Sequence, residues 1–426
     1  MSPIDTVLVS ALGPDRRAAC LAQGRLVRYL LTPPDSAVGG GPRAGDVFLG
    51  RVARVDRGLA AAFVDIGAAR PGFLAFADAS DPRRPPAEGE AVAVRVLRAA
   101  ESGKGAKLSG RPPPASERLA PPGAERPPVR LQAAPEPIIA AIAAAANATA
   151  DAAGDDAIRK AGNGTALTRV IVDDADTLVM LRRTLPAITP LLHHHRGGVS
   201  VFAADAVDDQ LAAAMAPWQS LAGGGAFAVR ETPAAVTIDV DLGAAAGGEA
   251  AVRTTNLEAM TAIAEMIVLA DLAGHIVIDP VAVRDRRQRA ALLDRLRATL
   301  AAAEDRLGND RRVIRFGGFT PLGLIELVRE RRAPSLRRQL GQDDSSESAS
   351  RVPWVAAGDA LRALVAETAT RPGRVPGLLV NEAVAAALAR EMAGARAAAE
   401  DRAGGRIAIS VADAPVISPW KLVDPR

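Results

Sequence analysis

The sequence predicts a multi-domain α/β protein that carries a small β-barrel near its N-terminal end. Three observations predict this. The chain has 426 residues, more than a single compact core accommodates when domains usually hold roughly 100–200. Residues 45–110 read as short strands divided by turns. Residues 227–336 alternate β-branched runs with amphipathic stretches, the rhythm of a layered α/β unit.

Taken in order, Thr6–Ser10 and Gly24–Leu31 are strand-like, and Pro33–Pro42 supplies Gly/Pro punctuation before the barrel. Val47–Val55, Ala60–Ile66 and the alternation of Val92, Val94 and Val96 with Ala93 and Arg95 give the barrel strands. Arg111–Pro137 is crowded with proline, and its alanine-rich continuation to Gly154 lacks an apolar stripe, so 111–154 is expected to be a linker. Leu167–Asp173 predicts a strand, followed by a helix containing Leu178, Leu181 and Leu185. Strands are expected at Phe227–Arg230 and Ala235–Asp239. Thr255 and Glu258 have capping-box spacing, which predicts a helix from Asn256 to Ala270 with Leu257, Met260, Ile263, Ala264 and Ile267 inward. His275–Asp279 is a strand, and Arg284–Ala303 a basic helix burying Leu292, Leu293, Leu296 and Leu300. A strand surrounds Val313 and Ile314, and Thr320–Pro321 signals a last helix of this unit. Gln342–Ser350 is acidic and serine-rich, so 339–353 is expected to be a flexible linker before a small tail domain at 354–426. That domain should hold a helix at Glu382–Met392 and a strand at Arg406–Val411.

Hydrophobic content of 49% is inflated by alanine, and aromatics are only 3%, so each aromatic is informative. The formal charge is +3, and lysine occurs only at 104, 107, 160 and 421. Arginine suits bidentate phosphate contacts, but a genome that favours arginine accounts for the same usage, so charge alone names no nucleic-acid partner. The single cysteine, Cys20, excludes an internal disulfide and a cysteine-based zinc site, and fits a cytoplasmic setting. No secretion leader is visible in Met1–Arg17, and the longest apolar run, Ile138–Ala146, falls short of the roughly 20 residues that span a bilayer. No membrane partner is therefore expected.

Two apolar runs end on an aspartate: Val236-Thr237-Ile238-Asp239 and Ile276-Val277-Ile278-Asp279. In α/β sheets ligands collect beyond the carboxyl ends of strands. Two carboxylates there can share one hard cation such as magnesium, which keeps waters for a substrate phosphate to replace. The competing reading is a pair of turn formers or helix caps. Asp241 is either a third acid supporting that pair or a solvated turn residue before Gly243–Gly248. In the barrel, Phe63 and Phe73 flank the Asp65-Ile66-Gly67 turn, with Arg51, Arg54 and Lys104 on neighbouring segments. Such aromatics either stack unpaired bases or fill the barrel core. His193, His194 and His195 are consecutive and cannot converge on one ion, so a loop end is expected there. His275 reads as structural, and Arg284, Arg286, Arg287 and Arg289 as a solvated helix face that could touch phosphates.

Several blocks resemble one family. Gly45-Asp46-Val47-Phe48-Leu49-Gly50-Arg51-Val52, Ala61-Ala62-Phe63-Val64-Asp65-Ile66-Gly67 and Pro71-Gly72-Phe73-Leu74 resemble the S1-type RNA-binding barrel of the ribonuclease E/G family. Thr255-Asn256-Leu257-Glu258-Ala259, Ile276-Val277-Ile278-Asp279, and Leu322-Gly323-Leu324-Ile325-Glu326 with Pro334-Ser335-Leu336 resemble the same family in the same order. The resemblance implies an RNase H-like subdomain (1–42 and 155–220) interrupted by an S1-type OB-fold barrel (43–110). A DNase I-like α/β catalytic subdomain would follow at 221–338. It implies internal cleavage of single-stranded RNA that leaves a 5′-phosphate, with Mg2+ held by Asp239 and Asp279, and RNA contacts from Phe63, Phe73 and Lys104. The alternative is a catalytically impaired RNA-binding protein that assists RNA folding or ribosome maturation. The chain also departs from the pattern. Asp239-Val240-Asp241-Leu242 stands where the family has Asp-x-Asn-Ser, and Pro280-Val281-Ala282-Val283 where it has Phe-x-Asp-Met. The paired zinc-link cysteines after Ser335 are missing, so no zinc is expected and any homo-oligomer would form without that link. The motif that reads a 5′-monophosphate has no counterpart near Ala133–Gly164.

Overall fold

The computed structural model describes residues 2–32, 42–100, 104–111, 126–153, 167–197, 200–244, 248–341, 352–371, 373–412 and 419–424. Of the expected linkers, residues 112–125, 154 and 342–351 lie outside these. The chain is mixed α/β and divides into two compact units, one made of residues 1–37, 137–330 and 335–426, the other of 38–136 and 331–334.

The first unit begins with an antiparallel meander, β1 (Thr6–Leu12), β2 (Asp15–Ala22) and β3 (Arg25–Thr32). The second unit follows. In it β4 (Val47–Asp56), β5 (Ala61–Asp65), β6 (Gly72–Ala75), β7 (Ala91–Arg98) and β8 (Lys107–Ser109) run in the order β5-β6-β8-β7-β4. Pairing of β4 back to β5 closes these five strands into a barrel, consistent with an OB-fold. A further strand, β9 (Val129–Gln132), pairs with the first half of β4. Val52, Ala62, Val64, Leu74, Val94, Val96 and Leu108 fill the barrel interior. A Cβ at Gly50 would stand 2.5 Å from Val64 Cγ1 and 2.8 Å from the Asp65 carbonyl oxygen, so β4 can approach β5 this closely only without a side chain.

Back in the first unit, the alanine-rich stretch expected as linker forms α1 (Pro137–Ala153). Ile138, Ala141, Ile142 and Ala145 are buried along it at helical spacing; alanine counts as apolar surface here, which made the stripe hard to read. Then come β10 (Arg169–Val172), α2 (Ala175–Thr184) and β11 (Leu192–His194), with Asp174 capping α2 by accepting a 2.8 Å hydrogen bond from the Thr177 amide. The resulting sheet has the order β11-β10-β1-β2-β3, with β10 parallel to β1 and β11 parallel to β10. His193 and His194 thus sit in an edge strand rather than a loop end.

The remainder of the α/β region comprises α3 (Val207–Met215), β12 (Trp218–Ser220), β13 (Ala226–Glu231), β14 (Ala235–Asp241), α4 (Gly248–Leu269), β15 (Gly274–Asp279), α5 (Arg286–Asp305), β16 (Ile314–Phe319), β17 (Ile325–Arg329) and the short α6 (Leu336–Gln339). Its six-stranded sheet has the order β12-β13-β14-β15-β17-β16, with β14 and β15 the parallel pair. One face packs under α4 and α5 through Val236, Ile238, Ile276, Ile278, Met260, Ile263, Ile267, Leu292, Leu296 and Leu300.

Two sequence expectations are corrected here. Helix α4 starts at Gly248, so Thr255 lies buried inside it and is no cap; Glu258 instead accepts a 2.9 Å hydrogen bond from the Gly223 amide. Thr320–Pro321 opens a turn, not a helix. The Thr320 amide bonds the Leu324 carbonyl at 2.7 Å, Gly323 takes φ +100°, and residues 325–329 alternate buried and exposed as a strand must.

The tail holds α7 (Pro353–Thr370), β18 (Gly377–Val380), α8 (Glu382–Ala389), α9 (Ala393–Ala403), β19 (Ile409–Val411) and β20 (Trp420–Val423), with strand order β19-β18-β20. Arg362 pairs with Asp15 and Asp359 with Arg17, anchoring α7 to β2. Among the described residues no helix is long and apolar enough to cross a membrane.

Candidate functional site

Along β14, Val236, Ile238 and Val240 point into the core while Thr237, Asp239 and Asp241 are exposed. Along β15, Ile276 and Ile278 are buried and Asp279 is exposed. Period-two alternation therefore puts every acid of these two strands on the uncovered face. Because β14 and β15 are parallel and in register, Asp239 stands directly beside Asp279, and neighbouring strands lie about 4.8 Å apart. Neither carboxylate has a hydrogen-bond or ion-pair partner among the described residues. Like charges directly opposite each other destabilise a sheet, and a cation between them would remove that cost. Two hard oxygen donors, with room for water on an open face, suit magnesium.

Asp241 follows Asp239 by two residues on the same face. Its Oδ1 accepts a 2.6 Å hydrogen bond from the Gly243 amide, and its register partner is Ala226. This is an Asx turn that ends the strand. Among the described residues no group of three or more His, Cys, Asp or Glu side chains could hold a metal ion, so any ion at Asp239 and Asp279 would rely on water for its other ligands.

Two residues near the pair gain roles that the sequence pattern does not assign them. Asn256 on α4 is fully buried; its side-chain amide donates to the Val281 carbonyl at 2.8 Å and accepts from the Val281 amide at 3.0 Å. This two-way clamp fixes the backbone just after Asp279. Glu326 is exposed on the same open face, opposite Val277 across β15 and β17. A hydrophilic residue between Ile325 and Leu327 signals that face once the segment is read as a strand.

In the barrel, Phe63 and Phe73 are register partners on β5 and β6, half-buried and outside the core cluster. Their rings meet edge to face at 5.9 Å, and the Arg54 guanidinium lies 4.5 Å from the Phe63 ring centre. The pairing continues from Arg54 to Phe63, Phe73, Lys107 and Arg98, one residue per strand across β4, β5, β6, β8 and β7. Lys107 and Arg98 were not anticipated. Lys104 is exposed just before β8, outside this row; Gly105, beside it, has no space for a Cβ because the Pro71 carbonyl oxygen would be 2.0 Å away.

The other candidates have different surroundings. His275 is exposed on the open face of the six-stranded sheet. Arg289 donates to the Val283 carbonyl at 2.7 Å and lies 5.3 Å from the Phe319 ring centre, so it packs within the unit, whereas Arg284, Arg286 and Arg287 are exposed. Cys20 is buried, and burial pushes its thiol up to about 11, which removes it as a nucleophile near neutral pH. Arg329 is wholly buried at the end of β17, paired to Glu304 and Asp271 at 2.6 Å each. Burial opposes ionisation of Asp271, but Arg312 and Arg329 overcome it and hold the acid at about 2.

Residues 151–332 match the ribonuclease E/G family, a stretch that includes Asp239 and Asp279 but not the barrel. Ribonuclease G of Salmonella typhimurium is 30% identical over 181 residues, 41% of this chain and 36% of that protein. Ribonuclease G of Haemophilus influenzae is 31% identical over 159 residues, 37% of this chain and 31% of that protein. Ribonuclease E of a Nostoc species is 28% identical over 188 residues, 42% of this chain and 26% of that protein. The chain thus spans about a third of the length of the ribonuclease G relatives it matches, and less of that ribonuclease E.

Proposed function

We propose that the chain, whose residues 151–332 match the ribonuclease E/G family, is a magnesium-dependent endoribonuclease acting on single-stranded RNA in RNA processing or decay. The observation that carries this reading is the bare, register-paired Asp239 and Asp279 at the carboxyl ends of two parallel strands. In this reading the two carboxylates hold Mg2+. When bound, the ion lowers the pKa of an attacking water and balances charge on the phosphoryl oxygens. Hydrolysis adds the water oxygen to phosphorus and releases the 3′-oxygen, leaving a 5′-phosphate. Asn256 keeps the Asp279 backbone in place, and Asp241 stabilises the turn after β14.

The finer architecture belongs to the same proposal. The order β11-β10-β1-β2-β3, with β10 and β11 running in the same direction as β1, supports an RNase H-like subdomain, and the six-stranded sheet a DNase I-like one. On the barrel, Phe63 and Phe73 would stack unpaired bases while Arg54, Lys107, Arg98 and Lys104 follow the backbone, as an S1-type face does. The setting would be cytoplasmic, with no zinc link between copies.

The test is cleavage of end-labelled single-stranded RNA with and without magnesium by the full chain, by Asp239→Asn and by Asp279→Asn. Cleavage that needs magnesium and disappears in both variants supports the reading. Salt-sensitive binding without cleavage at any magnesium concentration would replace it with an RNA-binding role in folding or ribosome maturation.

A further inference from the structure

The face of the six-stranded sheet turned away from α4 and α5 is exposed over several strands, and along β15 its acid and its basic group stand at opposite ends. At the carboxyl ends of β14 and β15 stand Asp239 and Asp279. At the other end, one register row crosses Ala235, His275, Val328 and Arg315 on β14, β15, β17 and β16. His275, Val328 and Arg315 are all exposed, and neither the Arg315 guanidinium nor the His275 ring has a partner among the described residues. Between the two ends lies the row of Arg230, Thr237, Val277 and Glu326, in which Arg230 stands at the β13 side and already has a partner. Beside it, β16 carries Gly317, where a Cβ would meet the Glu326 Cβ at 3.3 Å.

We infer that this face is the bed on which the RNA strand lies as it runs from the Asp239–Asp279 pair, with Arg315 and His275 holding a backbone phosphate other than the one that is cut. The inference rests on the RNA-cleaving reading above. His275 precedes Asp279 by four residues, roughly 13 Å along the strand, too far for both to address one phosphate. Arg315 offers a planar fork that matches phosphate oxygens, and His275 adds a ring N–H. On the β15–β17 side of the middle row Glu326 repels phosphate, which divides the contact along those strands into two stations. Charge complementarity selects the occupant: a polyanion whose flexible backbone can place one phosphate at each station, with a short lift over Glu326 between them. Val277 and Val328 give that lifted segment an apolar floor.

The experiment uses full-length protein carrying Asp279→Asn, so that RNA is not consumed, and measures binding of fluorescent single-stranded RNA by anisotropy. Adding Arg315→Ala should weaken a long RNA roughly tenfold and flatten the slope of log affinity against log salt by about 0.7. Arg315→Lys should recover most of the loss, and an RNA too short to leave the acid pair should not respond. In the otherwise unaltered chain, Arg315→Ala should raise KM for the long RNA with kcat changed less than about twofold. Equal loss on short and long RNA, or unchanged affinity and salt slope, would overturn the bed. If the unaltered chain cuts no RNA at any magnesium concentration, the cleavage reading fails by itself; if it cuts while Arg315→Ala leaves binding and KM unmoved, only the bed fails.

Discussion

The two larger sheets of the first unit are built from similar residues and do opposite work. In the five-stranded sheet, every residue of β1 is buried: Val7 and Val9 meet Ile138, Ile142 and Val170 on one side, while Leu8 joins the core shared with α4 on the other. In the six-stranded sheet, β14 and β15 bury only Val236, Ile238, Ile276 and Ile278 and their neighbours on one side, and the other side is left to Thr237, Asp239, Val277 and Asp279. A sheet covered on both faces can contribute only packing. One covered on a single face can keep a stable core and still present unneutralised acids, because alternation separates the two demands residue by residue.

The sharpest way to break this contrast is to exchange its consequences. Asp239→Asn should lower RNA cleavage by at least about a thousandfold, on the order of 4 kcal/mol, without lowering the urea midpoint, since it removes one of two facing like charges; Leu8→Ala, 1% exposed, should cost about 2–5 kcal/mol in the same titration while the folded fraction keeps its activity. An Asp239→Asn protein that melts early would mean that the open face is structural too. Next in size, Arg329→Met removes the ion-pair partner of the buried Glu304, while Asp271 keeps Arg312, and should destabilise the chain by about 3–5 kcal/mol in equilibrium unfolding. Phe63→Ala or Phe73→Ala in the barrel should each lose about 1–3 kcal/mol of single-stranded RNA affinity with little loss of barrel stability, since neither ring belongs to the core. The smallest effect is on acid stability. Asp271 is held below its ordinary 3.8, at about 2, so its contribution is complete above about 4 and is lost as pH falls toward 2. The urea midpoint should drop across that window in the unaltered chain and much less in Asp271→Asn.

How much of this could be read from the residues depends on the kind of signal. Asp239 and Asp279 were legible because each closes an apolar run with a charge, and the barrel because Val92, Val94 and Val96 alternate. Their register, and with it the side-by-side placement, was not, since pairing is settled by how α4 packs between the two strands. Alanine stripes have low contrast, so the pattern does not announce helix α1, and Thr320–Pro321 serves a hairpin turn as well as a helix start, so it does not announce β17. Asn256 and Glu326 sat in plain view, but their roles depend on partners distant in the chain. Lys107 and Arg98 were invisible for the same reason: only the closed barrel sets them in line with Phe63 and Phe73.

The β14–α4–β15 crossover also ties ion binding to folding. Asp239 and Asp279 become neighbours only when the helix between them has docked, so the unfolded chain offers a divalent ion no such pair. An ion that prefers the pair must then shift the folding equilibrium, by about 2.7 kcal/mol at a hundredfold excess over its Kd. Calorimetric melting temperature should climb with the logarithm of magnesium concentration above Kd, and in Asp239→Asn the curve should stay flat, which makes heat a readout of the acid pair that needs no RNA.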